Sequence, residues 1–105
     1  MTTYASVLAA LSDPTRRDVF ERLRQGPRSV TALAETLPVS RPAVSQHLKI
    51  LSKAGLVTQK RSGTSHIYSV DPGGLVELRQ YLDGFWSDVL QAFEADIKTR
   101  KEESK

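Results

Sequence analysis

The chain has 105 residues, 39% hydrophobic and 26% charged, with a net charge of +3 and no cysteine. A chain this short supports one core rather than two, and its composition is ordinary soluble globular material, neither disordered nor membranous. Lacking cysteine, it holds no disulfide, thiolate metal site or cysteine redox switch, and no run nears the roughly 20 apolar residues of a membrane span.

The opening MTTYASVLAALSD has no basic segment before its apolar stretch, so no signal peptide is expected and cytoplasmic residence is the default. Tyr4 to Leu11 is a helix candidate with Val7, Leu8 and Leu11 on one side. In DPTRRDVFERLRQGP, Asp13 caps a second helix, Pro14 suits its first position and Gly26-Pro27 ends it. Its buried stripe is Val19, Phe20 and Leu23. Arg16 and Arg17 are candidates for salt bridges with nearby acids or, alternatively, for DNA.

Ser29 caps a third helix carrying Val30, Leu33, Ala34 and Leu37, which Pro38 breaks. Ser40 caps a fourth helix whose core stripe is Val44, Leu48 and Leu51, with Ile50 on its flank, and Gly55 ends it in the left-handed region. Two short helices around the tight break LPVS have the anatomy of a helix-turn-helix. The period then changes. LVTQKR and HIYSV are β-type segments joined by SGTS, with Gly63 at the hairpin tip. Such a hairpin is marginal alone and is expected to lean on the helices through Leu56, Val57, Ile67 and Val70.

Asp71-Pro72 repeats the cap-plus-proline start, and a long helix to about residue 99 follows, carrying Leu75, Leu78, Leu82, Phe85, Trp86, Val89, Leu90, Phe93 and Ile97. Gly84 in its interior suggests a close approach or a slight bend, since glycine there costs about 1 kcal/mol relative to alanine. The expected fold is mainly α with a small β-hairpin, an α+β winged helix-turn-helix filling one domain over 1–105. Within it lie dimerisation helices at about 4–11 and 72–99, the helix-turn-helix at about 29–54 and the wing at about 56–70.

Charge is unevenly placed. Between Glu35 and Asp71 there is no acid, while Arg41, Lys49, Lys53, Lys60 and Arg61 supply five positive charges. Removing those five from +3 leaves the remainder at −2. A basic middle on a slightly acidic chain is the footprint of a polyanion partner, the alternative being a solvated basic face.

On the fourth helix, residues 41, 42, 45, 46 and 49 face away from the core stripe. A helix fits the B-DNA major groove with its first residues nearest the base edges. Arg41 suits guanine, Gln46 suits adenine, each good pair discriminating by roughly 1–3 kcal/mol, and Pro42 can meet a thymine methyl. Ser45 either donates or accepts and selects less. Lys49 and Lys53, further along, suit phosphates, as do Ser29 and Thr31 at the start of the preceding helix. Lys60, Arg61 and His66 can carry the wing into an adjacent minor groove. Ser40 is a cap that can also touch DNA, and His47 suits packing or phosphate better than a metal.

The terminal helices expose more apolar surface than a monomer this size covers. They are expected to pair across a two-fold axis through Tyr4, Val7, Leu8, Leu11, Leu82, Phe85, Trp86, Val89 and Phe93, each fully buried side chain stabilising by roughly 1.5–3 kcal/mol before ordering costs. Folding back onto the monomer core is the competing arrangement. A dimer places two recognition helices about 34 Å apart, the spacing of successive major grooves in a pseudo-palindrome.

Asp13-Pro-Thr-Arg-Arg17, Ala32-Leu-Ala34, Ser40-Arg-Pro-Ala-Val-Ser-Gln-His-Leu-Lys49, Leu51 through Val57, the hairpin Lys60 to Tyr68 and the long last helix together resemble the ArsR/SmtB family of small bacterial winged-helix repressors. The likeness spans nearly the whole chain, and its SxxxVSxHLxxLxxAGLV pattern is fairly specific. It implies a homodimeric repressor that covers promoter DNA, commonly that of its own operon. The family's metal sensors place cysteines in the first motif helix, where this chain has VTALAETL, or Asp and His on the last helix, where residues 72–105 contain no histidine. The resemblance is therefore to the autorepressor-type branch with no recognised inducer site. No metal, cofactor or membrane is expected; the expected partners are double-stranded operator DNA and a second copy of the chain, with any small-molecule effector unnamed. The rival readings are a winged-helix module for an acidic protein partner and a repressor holding an apolar effector near Trp86 and Phe93. No nucleophile, base and orienting group come together in the sequence, so an enzyme is not expected.

Overall fold

The computed structural model describes residues 3–103. Five helices and three strands follow one another as α1 (Tyr4–Ser12), α2 (Pro14–Arg24), β1 (Arg28–Ser29), α3 (Val30–Thr36), α4 (Arg41–Lys53), β2 (Val57–Ser62), β3 (Ser65–Val70) and α5 (Pro72–Glu103). No helix among the described residues is long and apolar enough to cross a membrane.

Side-chain caps start the short helices. Thr3 and Ser6 form a reciprocal capping box on α1. Asp13 Oδ1 accepts from the Arg16 amide at 2.9 Å, Ser29 Oγ from Ala32 at 3.1 Å and Ser40 Oγ from Ala43 at 3.3 Å. Each satisfies an amide that the first helical turn leaves without a carbonyl. The amphipathic stripes then meet in one core. Val7, Val19, Leu33, Val44, Leu48, Leu51 and Leu56 are fully buried, and among the described residues no polar residue is buried with them.

The wing is a three-stranded sheet rather than a lone hairpin. Its order is β1-β3-β2, with Arg28 opposite Tyr68 and Ser29 opposite Ile67. A two-residue strand has no period to read, which is why the sequence shows only the hairpin. Register also corrects which side chains support the wing. Val57 pairs with Val70, Gln59 with Tyr68 and Arg61 with His66, so these residues share one sheet face and Lys60 and Ile67 share the other. Tyr68 and Val70, half-buried, pack on the core together with the buried Leu56 and Val57, whereas Ile67, equally half-buried on the opposite face, does not. The expected Ile67 contact is therefore made by Tyr68, one residue on.

The end of α4 receives the start of α5. Gly55 turns the chain at φ 76°, and its carbonyl accepts from the Gly74 amide at 2.9 Å. A Cβ on Gly74 would lie 2.7 Å from that oxygen. The close approach expected at Gly84 is here instead; a Cβ on Gly84 meets nothing within 4 Å.

Leu75 and Leu78 still pack on the core, but α5 then leaves it, running to Glu103 rather than 99. Its 32 residues span about 48 Å. The radius of gyration is 19.4 Å, against about 13 Å for a compact chain of about 100 residues, and the extents are 71 × 28 × 20 Å. A projecting helix accounts for the excess.

Candidate nucleic-acid interface

One face of α4 is open. Arg41, Pro42, Ser45, Gln46, Lys49 and Lys53 are exposed, while Val44, Leu48 and Leu51 hold the opposite face in the core. Among the described residues, no ion pair or side-chain hydrogen bond engages Arg41, Gln46, Lys49 or Lys53. The helix is thus fixed by its apolar stripe, and its donors and cations remain available to solvent or a ligand.

Ser40 Oγ accepts the cap amide and keeps its hydroxyl hydrogen to donate. His47 stands apart from the open stripe. It is half-buried, with Nδ1 sealed from solvent and without a hydrogen-bond partner. It lies near enough to Asp13 to act on its ionisation. The Asp13 carboxyl is held below its ordinary value, first by the Arg16 amide it accepts from; desolvation opposes that, and nearby Arg16 and His47 add smaller lowering effects.

On the wing, Lys60, Arg61 and His66 are all exposed, but they do not form one group. Arg61 and His66 sit opposite each other on the face that carries Tyr68, and Arg61 Nε donates to the Gly63 carbonyl at 3.2 Å. Lys60 points from the other face. A cleft of about 320 Å³ separates the wing tip from Ser45 of α4 and from Ser29 and Thr31 at the start of α3.

The α5 face that leaves the core is broadly apolar. Trp86 is 61% exposed, Phe93 58% and Phe85 56%, with Leu82, Val89, Leu90 and Ile97 beside them. On a monomer a contiguous apolar patch of this kind marks an interaction surface. Tyr4 and Leu8 of α1 are exposed alongside, and the Tyr4 ring stacks on Tyr81.

Comparison with known proteins follows the same lines. The helix-turn-helix domain family matches residues 11–60. The HTH-type transcriptional regulator Rv2034 of Mycobacterium tuberculosis is 51% identical over 96 residues, covering 89% of this chain and 90% of its own. The solved ArsR-like transcriptional regulator from Rhodococcus sp. RHA1 is 34% identical and superposes with a TM-score of 0.78 over 88% of this chain and 87% of its own. The chain belongs to the ArsR/SmtB family. It is a winged helix-turn-helix transcriptional regulator. A third relative, the homodimeric winged helix-turn-helix DNA-binding domain of a possible ArsR-family regulator from Mycobacterium bovis, is 27% identical, with a TM-score of 0.64 over 80% of this chain and 78% of its own.

Within this family frame, two expectations from sequence are corrected. Val7 is wholly buried in its own chain and Leu11 packs partly against the same core, so Val7 has no surface to offer a second copy. Among the described residues, neither Arg16 nor Arg17 forms a salt bridge with an acid. The Arg16 guanidinium donates to the Ala9 and Ala10 carbonyls and Arg17 to the Leu11 carbonyl, fastening the end of α1 to α2. Helix ends carry unsatisfied carbonyls, so arginines just after a helix stop were a usable signal. Sequence reasoning also passed over Tyr81, which sits on the flank of the α5 stripe. Its partner Tyr4 lies at the far end of the sequence, and nothing local in the chain pairs them.

Proposed function

We propose that the chain is a homodimeric repressor that inserts α4 into successive major grooves of a pseudo-palindromic operator, its own promoter included. The observation that carries this reading is the α4 stripe, whose hydrogen-bonding and charged side chains have no partner among the described residues. Arg41 and Gln46 near the helix start are the base readers, with Pro42 against a thymine methyl. Ser40, Ser45, Lys49 and Lys53 attend the backbone. Arg61 and His66 carry the wing toward the adjacent minor groove, and Lys60, on the far sheet face, adds charge rather than contact. His47 braces α4 against the start of α2.

A second copy covers the α5 face through Leu82, Phe85, Trp86, Val89 and Phe93, with Tyr4 and Leu8 at its edge. The homodimeric relative supports that arrangement. The chain has neither cysteine nor, on α5, histidine, which favours the autorepressor-type branch over a metal-responsive one. DNase I footprinting across the DNA upstream of its own gene, with sedimentation of the free protein, tests the reading. The expected result is a dimer in solution and a protected pseudo-palindrome about two helical turns long. A monomer with no protected site contradicts it.

A further inference from the structure

The cleft between α4 and the wing brings Ser29 and Thr31, read from sequence as phosphate donors, together with Ser45 and the wing residues Thr64, Ser65, His66 and Tyr68. Thr31, Ser45, Thr64, Ser65, His66 and Tyr68 line most of its 320 Å³. Ser29, also in the wall, accepts from the Ala32 amide and keeps its hydroxyl hydrogen to donate. Among the described residues, none engages the hydroxyls of Thr31, Ser45, Thr64, Ser65 or Tyr68. No carboxylate lines the cleft, and none occurs anywhere between Glu35 and Asp71. Cations flank it instead. Lys49 lies one turn beyond Ser45 on the same α4 face, and Arg61 sits opposite His66. A wall of free hydroxyl donors with positive charge on both sides suits an anionic oxygen group.

Position narrows the ligand. When α4 occupies a major groove and the wing the neighbouring minor groove, the one element of the duplex between them is a sugar–phosphate strand. The cleft lies between those two parts of the protein. We infer that it seats a backbone phosphate of that strand, with Thr31 and Tyr68 as neutral donors and Ser45 turned to the backbone rather than to a base edge. This inference rests on the DNA-binding reading above. It adds Thr64, Ser65 and Tyr68 to the interface and explains why the wing tip is rich in hydroxyls as well as cations.

Tyr68→Phe and Thr31→Val remove hydroxyls while nearly keeping volume. Binding of each variant is compared with the parent on operator and scrambled duplexes over a salt series, and on operators carrying single methylphosphonates. Each variant is expected to bind about 3- to 10-fold more weakly on every duplex, the weight of one hydrogen bond. The salt slope is expected to stay unchanged, because a neutral hydroxyl displaces no counterion. One methylphosphonate position per half-site is expected to weaken the parent and to cost measurably less in the variants. A side chain that merely supports the fold would not produce that coupling.

Melting curves accompany the series. If Tyr68→Phe lowers stability, Thr31→Val, at an exposed position, carries the comparison alone. Variants that bind like the parent, or methylphosphonate penalties equal in parent and variants, overturn the phosphate seat. Saturable NMR shifts at Thr31 and Tyr68 with inorganic phosphate, beside unchanged DNA binding by the variants, also overturn it and reassign the cleft to a free anion. A parent that binds no duplex at any salt has a different meaning: it removes the functional reading on which the seat depends.

Discussion

The rings of Tyr4 and Tyr81 stack with centroids 4.0 Å apart and planes within 8°. They join the first turn of α1 to α5 at the point where α5 parts from the core. Arg16 and Arg17 hold the other end of α1 to α2. Helix α1 is therefore a strap between the projecting helix and the body that carries α4. Tyr4→Ala is expected to lose about 0.5–1.5 kcal/mol from the ring pair beyond the buried area, and to weaken self-association measured by sedimentation.

Two glycines on α5 should answer substitution in opposite ways. Gly74→Ala forces a Cβ to 2.7 Å from the Gly55 carbonyl oxygen, a backbone atom with little room to yield. The expected loss is about 1–3 kcal/mol, read as a melting temperature lower by several degrees. Gly84→Ala meets open space and should stabilise the helix by about 1 kcal/mol.

Acid should unfasten the start of α2. The folded-state pKa of Asp13 lies below its ordinary 3.8, chiefly because its carboxylate accepts the Arg16 amide. A depressed carboxyl contributes stability above the unfolded-state pKa and loses it as pH falls through the folded-state value. Urea midpoints measured downward from pH 5 should therefore decline, and Asp13→Asn should flatten that decline. A parent and variant with parallel acid limbs would remove Asp13 from the account.

Base reading and backbone holding separate by mutation. Gln46→Ala is expected to narrow the gap between operator and scrambled duplex by about 1–3 kcal/mol. Arg61→Ala should weaken both duplexes alike and flatten the salt slope by about 1. Lys60→Ala, changed on the other sheet face, should do the same more weakly. Competition binding over a salt series checks all three.

Trp86, at 61% exposed, is the largest side chain on the free α5 face. Trp86→Glu should shift sedimentation to the 11.6 kDa of a single chain. Operator affinity should fall with it, because two half-sites are no longer held by one particle, while the thermal transition of the monomer core changes little.

What could be read from the sequence followed the range of each signal. Caps at Asp13, Ser29 and Ser40, the stripe Val44, Leu48 and Leu51, and the turn at Gly55 act within a few residues, so the helix-turn-helix was legible. Wing parity was not. Whether Ile67 or Tyr68 faces the core depends on pairing with Arg28 and Ser29, nearly forty residues away in the chain. For the same reason the Tyr4–Tyr81 stack and the Gly74–Gly55 contact escaped, as each joins elements distant in sequence. Periodicity alone also could not divide α1, whose Val7 serves its own core while Leu8, one residue on, faces out.

The central claim is that the unpartnered stripe of α4 reads operator sequence. Fluorescence anisotropy of the parent and Gln46→Ala on the footprinted operator and a scrambled duplex, at one fixed moderate salt, tests it most directly. The account predicts strong preference for the operator in the parent and a preference reduced about 10-fold or more in the variant. Equal binding of both duplexes by the parent, or an undiminished preference in Gln46→Ala, would contradict it.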